Sequence, residues 1–152
     1  MTHPAISFLL GNPNLDGLTV QKVLDMSPSE LERHHSWIQW AFPTWEPSRF
    51  NPTAPVLTRA DLHDVSPEDR KVCRENVLNM LMHYYAALKS RGSWRREGDH
   101  NHLRICRVLK SLRLLRMDLA AIGLYNFAIR SGSCSTTTRR HWDSALNDEI
   151  PQ

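Results

Sequence analysis

Apolar residues recur at three- and four-residue spacings along most of this 152-residue chain, which is the period of one face of an α-helix. Strand-like alternation of apolar and polar residues never lasts more than a few positions. The pattern therefore predicts an all-α protein. We expect a compact single-domain bundle of about six helices, occupying residues 1–152.

Capping signals set the expected helix ends. The first helix is short and begins at Thr19. Ser27, Pro28 and Glu30 form a capping box with a proline start, so the second helix is expected from Ser27 to about Phe42. A proline-rich extended loop follows it, over residues 44–56. The remaining expected helices are a short one capped by Thr58 and Asp61, a long one from Ser66 to about Leu88, one over 100–115, one over 118–130, and a short one from about Thr137.

The segment richest in aromatic residues is HHSWIQWAFP, residues 34–43. On a helix, Leu31, Ile38 and Phe42 form one apolar stripe. Trp37 and Trp40 project more than about 90° away from that stripe. A helix that is apolar on both sides is expected to be buried on both sides. The second cover is expected to come from the proline-rich loop, through Phe50, Pro52 and Pro55.

His35 falls inside that stripe on the same helix, with Gln39 one turn further along its edge. A buried neutral histidine would need hydrogen-bond partners, since an unsatisfied buried polar group costs about 1–3 kcal/mol. Gln39 is close enough to share a hydrogen-bond network with it. The alternative is that His35 contacts a ligand. Metal binding by His34 and His35 together is disfavoured, because neighbouring residues on a helix point about 100° apart.

A second polar segment, DHNHLRICRVLKSL, covers residues 99–112. Asp99 or Asn101 is placed to cap its first turn. Arginines near a helix start either join a structural network or hold an anion with help from the helix dipole, and both interpretations stay open. His100 and His102 diverge by about 160°, so they do not form a zinc motif. The expected apolar face is Ile105, Val108, Leu109, Leu112 and Leu115, bordered by a stripe of His100, Arg104, Arg107 and Ser111.

Composition excludes several classes of protein. Hydrophobic residues make up 41% and charged residues 23%, as in an ordinary globular chain, and no stretch approaches the roughly 20 apolar residues of a membrane span. Three scattered cysteines indicate neither a disulfide framework nor a zinc site, so a reducing cytoplasm is the expected location. The chain has no nucleophile elbow, phosphate loop, metalloprotease or calcium-loop motif. No catalytic residue, metal site or cofactor is therefore predicted.

Positive charge is concentrated between Lys89 and Arg116, where nine basic residues face only two acidic ones, a net charge of +7. Such a segment can attract phosphates, acidic partners or anionic lipid, or it can be a solvated surface. Nucleic acid is a possible partner through Arg95, Arg96, Arg107 and Arg113, but no recognised reading motif supports it.

Two motifs resemble those of the opioid growth factor receptor conserved-region family. LERHHSWIQWAFP, residues 31–43, is similar to the family pattern L-E-x-x-H-x-x-I-Q-W-x-F-P. HNHLRICRVLKSL, residues 100–112, is similar to H-N-x-L-R-I-x-R-I-L-x-S-L, and SRFNPTAPVLT resembles the segment that follows the first motif. The resemblance spans about residues 8–146. Arg116 stands where the family has a glycine between two helices.

The resemblance implies a receptor-like, non-enzymatic role in signalling. Vertebrate members are described as receptors for an enkephalin peptide, associated with the nucleus and its envelope, that restrain cell proliferation. The expected partner is a peptide, a small anionic ligand or another protein, held in a pocket between the two motif helices. Its expected lining is His35, Gln39, Trp40, His100, Asn101, Arg104 and Arg107.

Two alternatives to this binding role stay open. In one, both motifs are structural and the protein works through its basic surface or a partner protein. In the other, the chain is an enzyme in which His35 or His100 acts as a general base and Arg104 stabilises developing charge.

Overall fold

The structure is a computed structural model that describes residues 2–49, 51–131 and 135–152. Within those ranges the chain forms nine α-helices and one short 3-10 helix, without a β-strand, which confirms the all-α prediction. By its internal contacts the chain divides into two compact units, residues 1–90 with Gln152 and residues 91–151, and each is described by itself. The expectation of one domain over residues 1–152 stays a prediction.

The first unit contains six helices: α1 (Pro4–Leu9), α2 (Val20–Leu24), α3 (Pro28–Arg33), α4 (Ser36–Ala41), α5 (Arg59–His63) and α6 (Pro67–Ser90). The second unit contains the 3-10 helix η1 (Gly92–Arg95), α7 (Asn101–Leu114), α8 (Asp118–Ser131) and α9 (Thr136–Asn147). The sequence predicted about six helices in total and named seven segments, and two features raise those seven to the nine α-helices of the described ranges. Helix α1 was not predicted, and the expected second helix is divided into α3 and α4. None of the helices in the described ranges is long and apolar enough to cross a membrane.

The predicted helix starts are confirmed by their caps. Ser27 Oγ accepts the Glu30 N–H at 3.1 Å while Glu30 Oε1 accepts the Ser27 N–H at 3.2 Å, which is a complete capping box. Thr58 and Asp61 form the same arrangement at α5. At the start of α6, Ser66 Oγ accepts the Asp69 N–H at 3.1 Å. These local signals define where α3, α5 and α6 begin.

The prediction of one continuous helix from Ser27 to Phe42 is wrong. The chain leaves α3 at His34, whose φ of −84° and ψ of 119° are extended, and α4 begins at Ser36. The break leaves the Leu31 carbonyl to accept the Trp37 indole N–H at 2.8 Å. It also buries the Trp37 ring, 1% exposed and 5.6 Å from the Tyr84 ring, so tertiary packing overrides the local helical tendency.

Helix α6 is the support of the first unit, since α1, α2 and α3 all pack against it. Asn76 Nδ2 on α6 donates to the Leu9 carbonyl at 2.8 Å, which fixes the end of α1. His83 Nε2, also on α6, lies 2.7 Å from the Met26 carbonyl and fixes the turn between α2 and α3. The long helix therefore holds the short ones through backbone carbonyls as well as apolar contacts.

In the second unit, α7 packs against both α8 and α9. The five apolar residues predicted to form the core face of α7 are all buried. The chain turns from α7 into α8 at Arg116, whose φ of 59° lies in the left-handed region. Glycine adopts that backbone conformation without the steric cost that Arg116 bears, which agrees with the glycine that the resemblance implies at this position.

Candidate functional site

The first motif ends in a helix, α4, that is fastened to the loop behind it. Gln39 Nε2 donates to Ser48 Oγ at 3.0 Å, and Gln39 Oε1 accepts from Asn51 Nδ2 at 2.8 Å. The amide of Gln39 therefore bridges α4 and the loop with both its donor and its acceptor. Trp40 is 6% exposed and its ring lies 5.7 Å from the Phe8 ring of α1. Gln39 and Trp40 both have a clear structural role here.

The loop that Gln39 holds is closed at its base. Thr44 and Val56 form an isolated parallel bridge, with the Leu57 N–H donating to the Thr44 carbonyl at 2.9 Å. His3 Nε2 lies 2.9 Å from the Val56 carbonyl and Nδ1 accepts the Ala5 N–H at 3.1 Å, so one ring joins α1 to the loop. The loop following the first motif is thus held at both ends by polar contacts.

The structure differs from the predicted burial around α4 in two places. The expectation that His35 lies within the buried stripe is wrong: its side chain is exposed, because the break between α3 and α4 changes the helical phase. Of the loop residues expected to cover the tryptophans, Pro55 is buried and Pro52 is exposed. Phe50 lies outside the described residues.

The second motif forms the first turns of α7. Asp99 Oδ1 accepts the Asn101 N–H at 2.9 Å and Asn101 Nδ2 at 3.0 Å, so Asp99 satisfies the helix start as predicted. The same oxygen lies 4.0 Å from His100 Nδ1, and the His100 side chain is 43% exposed. Arg107 is half-buried, whereas Arg104 is only 6% exposed. One side of α7 therefore grades from an exposed imidazole to a buried guanidinium.

Polar burial is concentrated on α7. Five buried side chains in the described chain are polar or charged, and four of them lie on this one helix: Asn101, His102, Arg104 and Ser111. Burying a charge such as that of Arg104 is costly unless it is compensated by partners of opposite polarity. Arg104 and Ser111, seven residues apart, lie within about 20° of each other on the helix. With His100 and Arg107 these two residues form the stripe predicted along one border of the α7 core face, which we name the polar strip.

His102 is an organising residue that sequence reasoning missed. Its Nε2 lies 2.7 Å from the Trp94 carbonyl, and its ring meets the Trp142 ring edge-on at 5.5 Å. The Trp142 indole N–H donates to the His102 carbonyl at 3.0 Å. A usable signal was present, because His102 precedes Ile105 and Leu109 at helical spacing and so shares their buried side.

The basic residues of the 89–116 segment have different environments. Arg91, Arg95 and Arg96 are exposed, whereas Arg113 donates from Nη1 to the Ala145 carbonyl at 3.0 Å and so holds α9. Arg104 is buried. The high charge is therefore partly a surface property and partly a means of fastening helices.

The predicted ligand-binding residues are divided between the two units. His35, Gln39 and Trp40 belong to the first unit, and His100, Asn101, Arg104 and Arg107 belong to the second. Their common role stays a prediction.

Comparison with known proteins now identifies the family. The family model described as "Opioid growth factor receptor (OGFr) conserved region" matches residues 12–148, which include α2 through α9. The chain belongs to this family.

Two curated relatives have similar sequences at low identity. The mouse protein "Opioid growth factor receptor-like protein 1" is 27% identical over 149 residues, and its rat counterpart is 28% identical over 154. Each alignment covers 86% of this chain and 32% of the relative, so the chain spans about a third of the length of those proteins. No solved structure gives a significant match.

Proposed function

We propose that this chain is a non-enzymatic binding module whose α7 helix holds a peptide or another small anionic ligand. The ligand-contacting residues in this proposal are His100, Asn101, Arg104 and Arg107. The proposal is supported by the family name, which describes a growth factor receptor, and by the polar strip on α7.

The observation that carries the proposal is the burial of Arg104 on a helix that otherwise forms a core. A guanidinium has five N–H donors in a planar fork, so one side chain can serve the fold and also take a bidentate carboxylate or phosphate. An apolar residue would serve the fold without the cost of desolvating a charge. The presence of a guanidinium at this position therefore favours recognition of an anion.

Neighbouring groups suit the same ligand. Arg107 lies one turn after Arg104 and is half-buried, and His100 lies one turn before it. The three side chains follow one another along the helix at the spacing that places them on a common side. The dipole of a 14-residue helix adds a further favourable field for negative charge at the same end.

The test measures binding of three probes by isothermal titration calorimetry: an enkephalin peptide, the same peptide with an amidated C-terminus, and inorganic phosphate. The wild-type protein is expected to bind at least one probe. Arg104→Met is expected to weaken that binding by at least tenfold, because a charge-assisted hydrogen bond is worth about 1.5–3 kcal/mol. Arg104→Lys keeps the charge and loses the fork, so an intermediate loss is expected.

Arg116→Gly is the matched control, because it removes one positive charge from the far end of α7 and relieves the positive φ of Arg116. It should leave probe binding unchanged. Should Arg104→Met fail to fold, Arg107→Met replaces it, since Arg107 is half-buried and its loss leaves the core intact. The proposal is wrong if no probe binds the wild-type protein, or if the Arg104 and Arg107 variants bind as well as the control.

A further inference from the structure

The segment immediately before α7 has exposed arginines around a buried tryptophan. It consists of η1 and the turn that follows, residues 91–99, and we name it the arginine loop. Trp94 in its middle is 1% exposed and stacks on Phe127 of α8, with 5.5 Å between the rings and 25° between their planes. Its carbonyl is bonded to His102 at 2.7 Å. The loop is therefore fixed to both α7 and α8.

The backbone of the arginine loop is closed by its own hydrogen bonds. The Arg96 N–H donates to the Ser93 carbonyl at 3.1 Å, and the Asp99 N–H donates to the Arg96 carbonyl at 3.2 Å. The Arg95 guanidinium carbon lies 5.6 Å from the centre of the Trp94 ring, within cation–π range. Arg95 and Arg96 are nevertheless exposed. A preformed loop of this kind loses little conformational entropy when it binds, which favours affinity.

The surroundings of the loop are positive. Residues 91–151 contain eleven lysines and arginines and six aspartates and glutamates, a net charge of +5. Within the loop itself, Asp99 is engaged by the start of α7 through Asn101. Glu97 is the other acidic residue there, and it is exposed. The net positive charge of the second unit therefore favours an anionic partner.

An exposed apolar residue follows the arginine loop in the sequence. Leu103 is 68% exposed in the first turn of α7, four residues after Asp99, and the ring of its neighbour His102 lies 2.7 Å from the Trp94 carbonyl of the loop. Nucleic acid is disfavoured as the partner, because the aromatic ring of the loop is buried and offers no face for stacking with a base. An exposed apolar side chain a few residues from exposed arginines suits a peptide that combines acidic residues with an apolar one.

We propose that the arginine loop and Leu103 form a docking surface for an acidic peptide segment of a partner protein, with Arg95 and Arg96 meeting its carboxylates and Leu103 its apolar residue. This inference rests on the proposed function and deepens it, since it names the chemistry of the peptide and a surface outside the α7 strip. Interfaces of this type associate quickly at low salt and weaken as salt screens the charges.

The experiment follows fluorescence polarisation of a labelled glutamate-rich peptide with one central leucine, and of a twin in which glutamine replaces every glutamate. The wild-type protein should bind the acidic peptide at least tenfold more tightly than its twin at low salt. Reversal of both charges, Arg95→Glu with Arg96→Glu, should reduce that affinity at least tenfold and flatten its salt dependence. Leu103→Ser should cause a smaller loss at every salt concentration.

The single reversal Arg96→Glu is measured beside the double variant, and Arg116→Glu is its matched control. Both change one exposed charge by the same amount, and Arg116 lies beyond the opposite end of α7, about 20 Å along the helix. Equal losses in the two variants would show a response to net charge alone and would overturn the inference. Tighter binding of a single-stranded oligonucleotide than of the acidic peptide, lost on the same reversals, would also overturn it.

The two proposals fail separately. If the phosphate and enkephalin probes bind through Arg104 while the acidic peptide does not bind, the docking surface is wrong and the proposed function stands. If no probe binds through Arg104 but the acidic peptide binds through Arg95 and Arg96, the α7 strip is wrong as a ligand site.

Discussion

Each unit buries a tryptophan whose indole N–H donates to a backbone carbonyl, but the two hydrogen bonds join the chain over very different distances. In the first unit, Trp37 bonds the Leu31 carbonyl, six residues earlier. In the second, Trp142 on α9 bonds the His102 carbonyl on α7, forty residues earlier. The first bond shapes a local break between two short helices, whereas the second joins two long ones. The two indole hydrogen bonds are therefore local in the first unit and long-range in the second, although the first unit has other long-range bonds, from α6 to the Leu9 and Met26 carbonyls.

The two units also differ in net charge. Residues 1–90 contain eight basic and ten acidic residues, a net charge of −2, against +5 for residues 91–151. Buried polar side chains also differ: Thr44 is the one described in the first unit, and the other four lie on α7. The second unit thus combines the excess charge with the costly polar burial, which is why both functional proposals concern it.

The largest expected effect is the loss of stability on removing Trp142, whose indole donates the long-range hydrogen bond to the His102 carbonyl. Trp142→Ala should destabilise the protein by about 3–5 kcal/mol, because it removes a nearly fully buried indole and leaves a cavity. It also leaves the His102 carbonyl without this donor. Urea unfolding followed by circular dichroism measures the loss.

The milder pair Trp142→Phe and Trp37→Phe sharpens the comparison, because each keeps an aromatic ring and removes the indole donor. Hydrogen exchange should rise through α9 in the first variant and only around α3 and α4 in the second. Equal spread of exchange in both variants would contradict the distinction between local and long-range fastening.

A smaller effect is expected at the fastening of α4 to its loop. Gln39→Ala and Asn51→Ala should each cost about 0.5–1.5 kcal/mol, the usual net value of a hydrogen bond. Because the two side chains bond each other at 2.8 Å, the double variant should cost less than the sum of the single ones. Strictly additive losses in a double-mutant cycle would show that the amide pair contributes no coupling.

Matched helix caps provide the next comparison. Ser27 caps α3 in the first unit and Ser135 caps α9 in the second, and each hydroxyl oxygen accepts a backbone N–H at 3.1 Å. Replacement of either serine by alanine should cost about 1 kcal/mol, measured by thermal unfolding. The two losses should be similar, because alanine at position 27 keeps the backbone N–H that Glu30 Oε1 accepts and so keeps the second bond of the capping box. A much larger loss from Ser27→Ala would show that the two bonds of the capping box depend on each other.

How much could be predicted from the sequence follows from the range of the interactions involved. The caps at Ser27, Thr58 and Ser66 were predicted because they depend on residues three positions apart. The core face of α7 was predicted because helical period alone defines it. The break at His34 was not predicted, because it depends on Trp37 meeting Tyr84, 47 residues away on α6.

The candidate site shows the same difference between local features, which the sequence predicts, and contacts between elements, which it does not. Gln39 was correctly placed at a polar edge, but its partners Ser48 and Asn51 belong to a loop whose path the local sequence does not determine. For His102 the sequence indicates only that it does not form a zinc motif with His100. Its contacts with Trp94 and Trp142 could not be predicted, because they depend on how three separate elements meet. Patterns of near neighbours predicted the helices, and the polar contacts between elements required the structure.

The smallest expected effect is a difference in acid sensitivity between the caps of the two units. The pKa of the Glu30 carboxyl is lowered chiefly by the Ser27 backbone N–H, and the pKa of the Asp61 carboxyl chiefly by the Thr58 backbone N–H. A pKa lowered in the folded state gives stability that is present above the unfolded pKa and lost as the pH falls through the folded value. The starts of α3 and α5 should therefore loosen below about pH 4.

Helix α9 offers the contrast, because its cap uses the hydroxyls of Ser135 and Thr138 and no carboxylate. Site-resolved hydrogen exchange from pH 5 downwards should show protection lost at α3 and α5 before α9. Asp61→Asn should make the start of α5 insensitive to pH while leaving α3 as it is in the wild-type protein. Were α9 to lose protection at the same pH as α3 and α5, the response would be global and the capping carboxylates would not be its cause.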